Sequence, residues 1–263
     1  MLTAILKGKR RGTGVDERAL AHDVEAYEDT LTATLFERLL YLPDDVVIAV
    51  LSDPSFWPGE GFQPSGPVED VWFWPCWPAP DGRPDRERIE PDVVIDFPGH
   101  RLVIEAKRFD LADQQLPEQL ALEWLAAQGE RKVWLLTVGG LADSRKTTFA
   151  AKRAEMVDQL AALGCEAPSE VRLGHASWAD LFQTIGARAG DRPEARRVVA
   201  DLEAGLAMHR VRTQRAGWLA DLAICAARPI TATPVDFQPM SLARTLARLG
   251  GIATSPSVFS PGK

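Results

Sequence analysis

The sequence holds only three cysteines, Cys76, Cys165 and Cys225, too far apart for a zinc or redox spacing. That excludes a disulfide framework and leaves them as small packing residues in a reducing compartment. The four histidines, His22, His100, His175 and His209, are scattered without ligand spacing, so a histidine-built metal centre is not expected. No apolar run is long enough to span a bilayer. The N-terminus is apolar from Met1 to Leu6 and basic afterwards at Lys7, Lys9, Arg10 and Arg11, the reverse of a secretory leader. A cytoplasmic protein without a membrane partner is the expectation. Gly139 and Gly140 lack the spacing of a Walker loop or a dinucleotide fingerprint, and there is no internal repeat. Basic excess is also missing: 37 acidic residues face 30 basic ones, a formal charge of −7, which argues against nonspecific coating of nucleic acid by the whole surface. Two local basic stretches remain, Lys7 to Arg11 and Arg145, Lys146, Lys152 and Arg153. Each taken alone reads as solvated surface charge.

What is present is the balance of an ordinary globular protein, 46% apolar and 25% charged. Helical periodicity covers about residues 17–42 and stops at Pro43, and a short helix is expected over 44–51. From Asp53 to Pro84 the chain is rich in Pro, Gly and Trp, with one strand expected near 68–76. Its aromatics, Trp57, Trp72, Phe73, Trp74 and Trp77, could stack on bases, but packing against helices is the better expectation. Two strands follow, 92–97 and 101–108, joined by Pro98 and Gly99, a pair suited to a tight turn. A helix is expected over 113–128. The run KVWLLTV at 132–138 has the continuous apolar character of a strand buried on both faces. Helix 144–163, strand 170–173 and helix 178–188 complete the alternation. The pattern predicts an α/β fold with a mixed sheet over residues 1–190 and a helical C-terminal extension over 191–263.

The chemistry concentrates between Glu90 and Lys107, EPDVVIDFPGHRLVIEAK. Period-2 geometry sets Val103, Glu105 and Lys107 on one face of their strand. With Pro98 and Gly99 as turn residues, Phe97 faces His100 and Asp96 faces Arg101, and counting outward brings Asp92 opposite Glu105. Opposed residues have Cβ atoms about 5 Å apart, so the two carboxylates can converge on one ion. Unpaired, they would repel and one pKa would rise. Oxygen donors with open positions suit Mg²⁺ or Mn²⁺, and the Ala106 carbonyl could add a ligand. Lys107 could steer or deprotonate an attacking water and offset charge on a phosphate. Hydrolysis of a phosphodiester is the natural reaction, against the plainer alternative of a surface hairpin with an ordinary Glu–Lys pair.

At 100° per residue, Val24, Leu31, Leu35, Leu39 and Leu42 form one apolar stripe on the first helix, and Glu28 lies within it. A carboxylate among leucines needs a partner or a metal, so Glu28 is a candidate third acid; a local cap or salt bridge is the alternative. Glu37 projects from the other side as a solvated charge.

Residues Glu90 to Lys107 resemble the PD-(D/E)xK nuclease superfamily: Pro91-Asp92, twelve residues, then Glu105-Ala106-Lys107. The resemblance implies a restriction-endonuclease-like αβββαβ core, Asp92, Glu105 and the Ala106 carbonyl as metal ligands, Lys107 as the catalytic lysine and Glu28 as the helix-borne acid. It also matches Gln119 to a glutamine found in several lineages on the helix after the motif strand, although no Tyr follows here. Gln119, Arg145 and Lys146 are the candidate substrate contacts. The N-terminal stretch Glu28-Asp29-Thr30-Leu31-Thr32, with Tyr41-Leu42-Pro43, is similar to bacterial members associated with antiphage or restriction systems. The implied activity is Mg²⁺- or Mn²⁺-dependent cleavage of DNA, with protein partner subunits or a homo-oligomer left open. A catalytically silent subunit of a larger defence complex, keeping the fold without turnover, is the competing expectation.

Overall fold

The computed structural model describes residues 28–59, 61–80, 87–110, 112–141, 146–211 and 213, the side chains of 146 and 147 excepted. The basic cluster Lys7 to Arg11, His22, Val24, Arg145, Cys225 and the chain from 214 onward lie outside the described residues.

Six α-helices stand among the described residues: α1 (Glu28–Leu39), α2 (Asp44–Leu51), α3 (Pro117–Ala126), α4 (Lys146–Ala162), α5 (Trp178–Ala189) and α6 (Pro193–Met208). The main sheet holds β1 (Asp70–Phe73), β4 (Val93–Phe97), β5 (His100–Ala106), β6 (Lys132–Val138) and β7 (Arg172–Ala176), in that order, while β2 (Trp77–Pro78) and β3 (Arg88–Ile89) form a small separate ladder. β4 runs antiparallel to β1 and β5, and β5, β6 and β7 are mutually parallel. The protein is therefore mixed α/β, with a mixed five-stranded sheet. No helix among the described residues is long and apolar enough to cross a membrane.

The β4–β5 register is the one the turn dictates: Phe97 pairs with His100, Asp96 with Arg101 and Val93 with Ile104. Gly99 takes φ +70°, a left-handed conformation that favours glycine, so the hairpin cannot readily slip. Strand alternation then sorts side chains onto two cores. Val93, Ile95, Leu102, Ile104, Trp134 and Leu136 face α1, α2, α5 and α6. Val94, Val103, Val133 and Leu135 face α3 and α4. β6 is buried on both faces from Val133 to Val138, as its unbroken apolar run requires.

Several expectations shift. Residues 113–116 are not helical, because Pro117 sits at the first helical position and the preceding amides of Gln114 and Gln115 donate to the Gly140 carbonyl. β7 starts two residues later than expected, displaced by a 3-10 turn at Pro168–Glu170. α1 is buried from Thr30 to Phe36 and not along one stripe only, since α6 packs across it; Glu37 is half-buried and engaged instead of solvated. Cys76 is exposed and so does no packing. Of the aromatics, Trp57, Phe73 and Trp74 are buried, while Trp72 is exposed and Trp77 half-buried, both beside the Arg101 guanidinium.

Candidate active site

β4 begins at Val93 and β5 ends at Ala106, so Asp92 and Glu105 are the first residues past the Val93–Ile104 pair, side by side at one edge of the hairpin. Both are almost fully buried, at 7% and 2% exposure. Asp92 Oδ2 accepts from the Ala106 amide at 2.8 Å and Oδ1 from the Trp74 indole at 3.0 Å. Glu105 Oε1 accepts from Lys107 Nζ at 2.5 Å and from Gln119 Nε2 at 2.7 Å. Glu28, at the start of α1, places Oε1 3.4 Å from Lys107 Nζ and accepts from the Arg108 amide at 2.9 Å through Oε2. Four elements thus bring Glu28, Asp92, Glu105, Lys107 and Gln119 together.

The electrostatics follow from burial. Loss of solvent, then the neighbouring Glu105 charge, pushes the Asp92 carboxyl well above the carboxylate range. Glu105 is raised likewise, by burial first and the charge of Glu123 second. Burial works against the Lys107 ammonium, yet Glu105, Glu28 and Asp92 outweigh it and hold Lys107 protonated, its pKa above the ordinary lysine value.

Glu123 went unnoticed in the sequence. It lies on α3 one turn after Gln119, is 1% exposed, and accepts from Gln119 Nε2 at 2.9 Å through Oε1. Its Oε2 is buried without a partner, and burial lifts its carboxyl to about 7. The signal was available: an acid one turn past Gln119, inside the apolar run ALEWLA, invites the question already asked of Glu28.

A second group, also missed, fixes the lysine from behind. Gly139 and Gly140 follow β6 with φ +65° and +71°, and a Cβ on them would stand 2.3 Å from the Lys107 carbonyl oxygen and 2.6 Å from Lys107 Cβ respectively. The Trp178 indole donates to the Lys107 carbonyl at 2.7 Å, and Asp110 holds the Trp178 amide at 2.8 Å. Buried Gln115 donates to the carbonyls of Glu105 and Gly139 at 3.3 and 3.2 Å.

Other candidates lie elsewhere. Ala106 joins the site through its amide. Lys146 opens α4, but its side chain, like Arg145, lies outside the described residues. His100 sits at the hairpin turn with Nδ1 3.1 Å from the Pro98 carbonyl, at the far end of the strand from Glu105. Among the described residues no three His, Cys, Asp or Glu side chains stand arranged as ligands of one ion, and hydrogen bonds from Trp74, Ala106, Lys107 and Gln119 engage the two central carboxyls.

Fold and site together define a mixed α/β protein with a buried carboxylate–lysine cluster at the edge of a hairpin. An uncharacterized protein of Pasteurella multocida is 31% identical to the chain over 232 residues, spanning 84% of this chain and 85% of that protein. The chain belongs to the family of that protein. No family model and no solved structure matches it.

Proposed function

We infer that the protein is a metal-dependent phosphodiester hydrolase acting on DNA, a PD-(D/E)xK nuclease with a function in restriction or antiphage defence. The observation that carries this reading is the placement of Asp92 and Glu105 side by side, both buried, with Lys107 Nζ 2.5 Å from Glu105. A structural Glu–Lys pair has no need of a second buried carboxyl beside it, and burying both as charged carboxylates is unfavourable without a cation. Support also comes from topology: an antiparallel β1–β4–β5 meander followed by a helix and the parallel strand β6 follows the αβββαβ order of that superfamily.

The donor set suits a hard divalent cation. Asp92, Glu105 and the Ala106 carbonyl would hold it, with the buried carboxyl of Glu123 hydrogen-bonded to Glu105 beside them. Bound Mg²⁺ or Mn²⁺ would supply Lewis acidity toward the phosphate and a more acidic water. Lys107, kept protonated by its carboxylates, would orient the phosphate and offset the charge that develops on it. Glu28 would hold the amide that follows Lys107, and Gln119 would keep Glu105 in its rotamer.

The closed Lys107–Glu105 pair and the net charge of −7 favour one other reading, a subunit that keeps this fold without turnover and relies on partners. One experiment separates the two. Supercoiled, linear and single-stranded DNA, with RNA alongside, is incubated with the protein and Mg²⁺ or Mn²⁺, and Asp92→Ala and Lys107→Ala are compared with wild type. A nuclease loses about 10²-fold to 10³-fold or more of its rate in either variant. Cleavage unchanged by both substitutions would sink the assignment, and no cleavage together with no Asp92-dependent Mn²⁺ binding in calorimetry would establish the silent subunit.

A further inference from the structure

The chain leaving β5 is pinned at every step. The Lys107 amide donates to the Val138 carbonyl at 2.7 Å and the Lys107 carbonyl accepts from the Trp178 indole. Glu28 holds the Arg108 amide, the Phe109 carbonyl accepts from the Gly140 amide at 2.7 Å, and Asp110 holds the Trp178 amide. Two side chains of this rigid segment nevertheless take no part in holding it. Phe109 is 54% exposed. The half-buried Arg108 guanidinium makes no hydrogen bond or ion pair among the described residues and lies over the Phe109 ring, 5.4 Å from its centre. Its charge is still felt inside the molecule, where burial first and Arg108 second lower the pKa of His209 to about 4.

A lone exposed phenylalanine needs no explanation, but its setting here gives it one. The neighbouring site gathers carboxyls, and cations around it are already engaged: Lys107 by Glu105 and Glu28, Arg38 by Asp201, Lys152 by Asp113 and Glu155. A phosphodiester approaching so acidic a cluster needs a cation of its own. Arg108, directly after Lys107, is a guanidinium left without a carboxylate, and its fork matches phosphate oxygens. The exposed ring beside it offers a stacking surface that accepts any base, and a backbone already fixed loses little entropy on binding. Inside a duplex both faces of each base are covered by its neighbours. A ring held beside the reacting phosphate therefore stacks only on a base that is unpaired or turned out of the helix.

We propose that Arg108 and Phe109 dock single-stranded DNA at the carboxylate–lysine cluster, Phe109 stacking on an unpaired base and Arg108 holding an adjacent phosphate. That this phosphate neighbours the one cleaved rests on the nuclease reading; the binding does not. The test follows the anisotropy of a labelled single strand of about twelve nucleotides, its duplex and the matching RNA strand, with the full chain in EDTA and again in Ca²⁺. The single strand is expected to bind at least about fivefold more tightly than the duplex, and Phe109→Ala to weaken it by about tenfold, with Phe109→Trp close to wild type. Arg108→Ala is expected to weaken binding and to reduce the salt slope by about 0.7. Tyr41→Ala removes an exposed aromatic elsewhere and should leave affinity unchanged. Circular dichroism and urea midpoints will check that the variants fold. Single-strand binding no tighter than about 1 mM, affinity unchanged in Phe109→Ala, equal binding of the duplex, or binding of RNA alone would each overturn the assignment. With Mn²⁺ present, Phe109→Ala should raise KM for the single strand. Cleavage with KM unchanged in that variant would overturn the docking role and leave the nuclease reading standing. Phe109-dependent binding without cleavage would do the reverse.

Discussion

Glu123 brings its carboxyl into the site with one oxygen on Gln119, and burial lifts its pKa from 4.5 to about 7, against the lowering effect of hydrogen bonds with Gln119 and Glu105. Because the folded-state pKa is the higher one, the folded protein holds this proton more tightly than the unfolded chain. Its stabilising contribution is complete below about pH 4.5 and is lost as pH rises through about 7. Urea unfolding of the metal-free protein between pH 5 and 8 should therefore show a decline, of which Glu123 contributes about 2–3 kcal/mol. Glu123→Gln is expected to remove that share of the decline; parallel curves for the two proteins would place the proton on another group. Legibility at this scale divides sharply. Asp92, Glu105 and Lys107 could be read because period-2 alternation and a two-residue turn determine which residues oppose each other. Glu123 needed the helix phase of α3 relative to β5, which depends on how the chain crosses between them, and residues 108–116 carry no periodicity that would give it.

Gly139 and Gly140 illustrate how an element's end can position a side chain it does not carry. β6 runs parallel to β5, with Glu105 paired to Thr137 and Ala106 to Val138, so the chain leaving β6 passes directly beside Lys107. A Cβ at Gly140 would stand 2.6 Å from Lys107 Cβ and 2.8 Å from its Cγ, at φ +71°. Gly140→Ala is expected to destabilise by about 2–4 kcal/mol, from backbone strain and overpacking together. Gly129→Ala, with nothing within 4 Å, is expected to lie within about 0.5 kcal/mol of wild type; equal effects at both positions in chemical denaturation would refute the close-approach account. In the sequence these glycines could be excluded from nucleotide fingerprints, but their actual use depends on a parallel crossover that brings residues more than thirty apart into contact. Elements with strong local patterns were placed well: the apolar run of β6 matches its strand residue for residue, and α2 runs from Asp44 to Leu51 as expected. The two-residue strands β2 and β3 are too short to carry any period, so they could not be read.

At the scale of the whole molecule, four carboxyls, Glu28, Asp92, Glu105 and Glu123, gather around one ammonium, Lys107. A fold that concentrates acid in this way is stabilised by anything that binds the native arrangement and supplies positive charge. A divalent cation held by Asp92 and Glu105 would shift unfolding by RT ln(1 + [L]/Kd), about 2.7 kcal/mol at a hundredfold excess over Kd. For a chain of this size that corresponds to a rise in Tm of roughly 5–10 °C. The expected outcome is a Mn²⁺-dependent rise in Tm that EDTA reverses, that Asp92→Asn abolishes, and that Asp201→Asn, an exposed partner of Arg38, leaves intact. The cation also competes with protons for the same carboxyls, so the rise should grow as pH increases through about 7, where Glu123 loses its proton. A shift that survives Asp92→Asn would mean that Mn²⁺ binds elsewhere on this acidic surface. A shift that needs Asp92 and yet shows no dependence on pH would leave the cation bound while removing Glu123 from its surroundings.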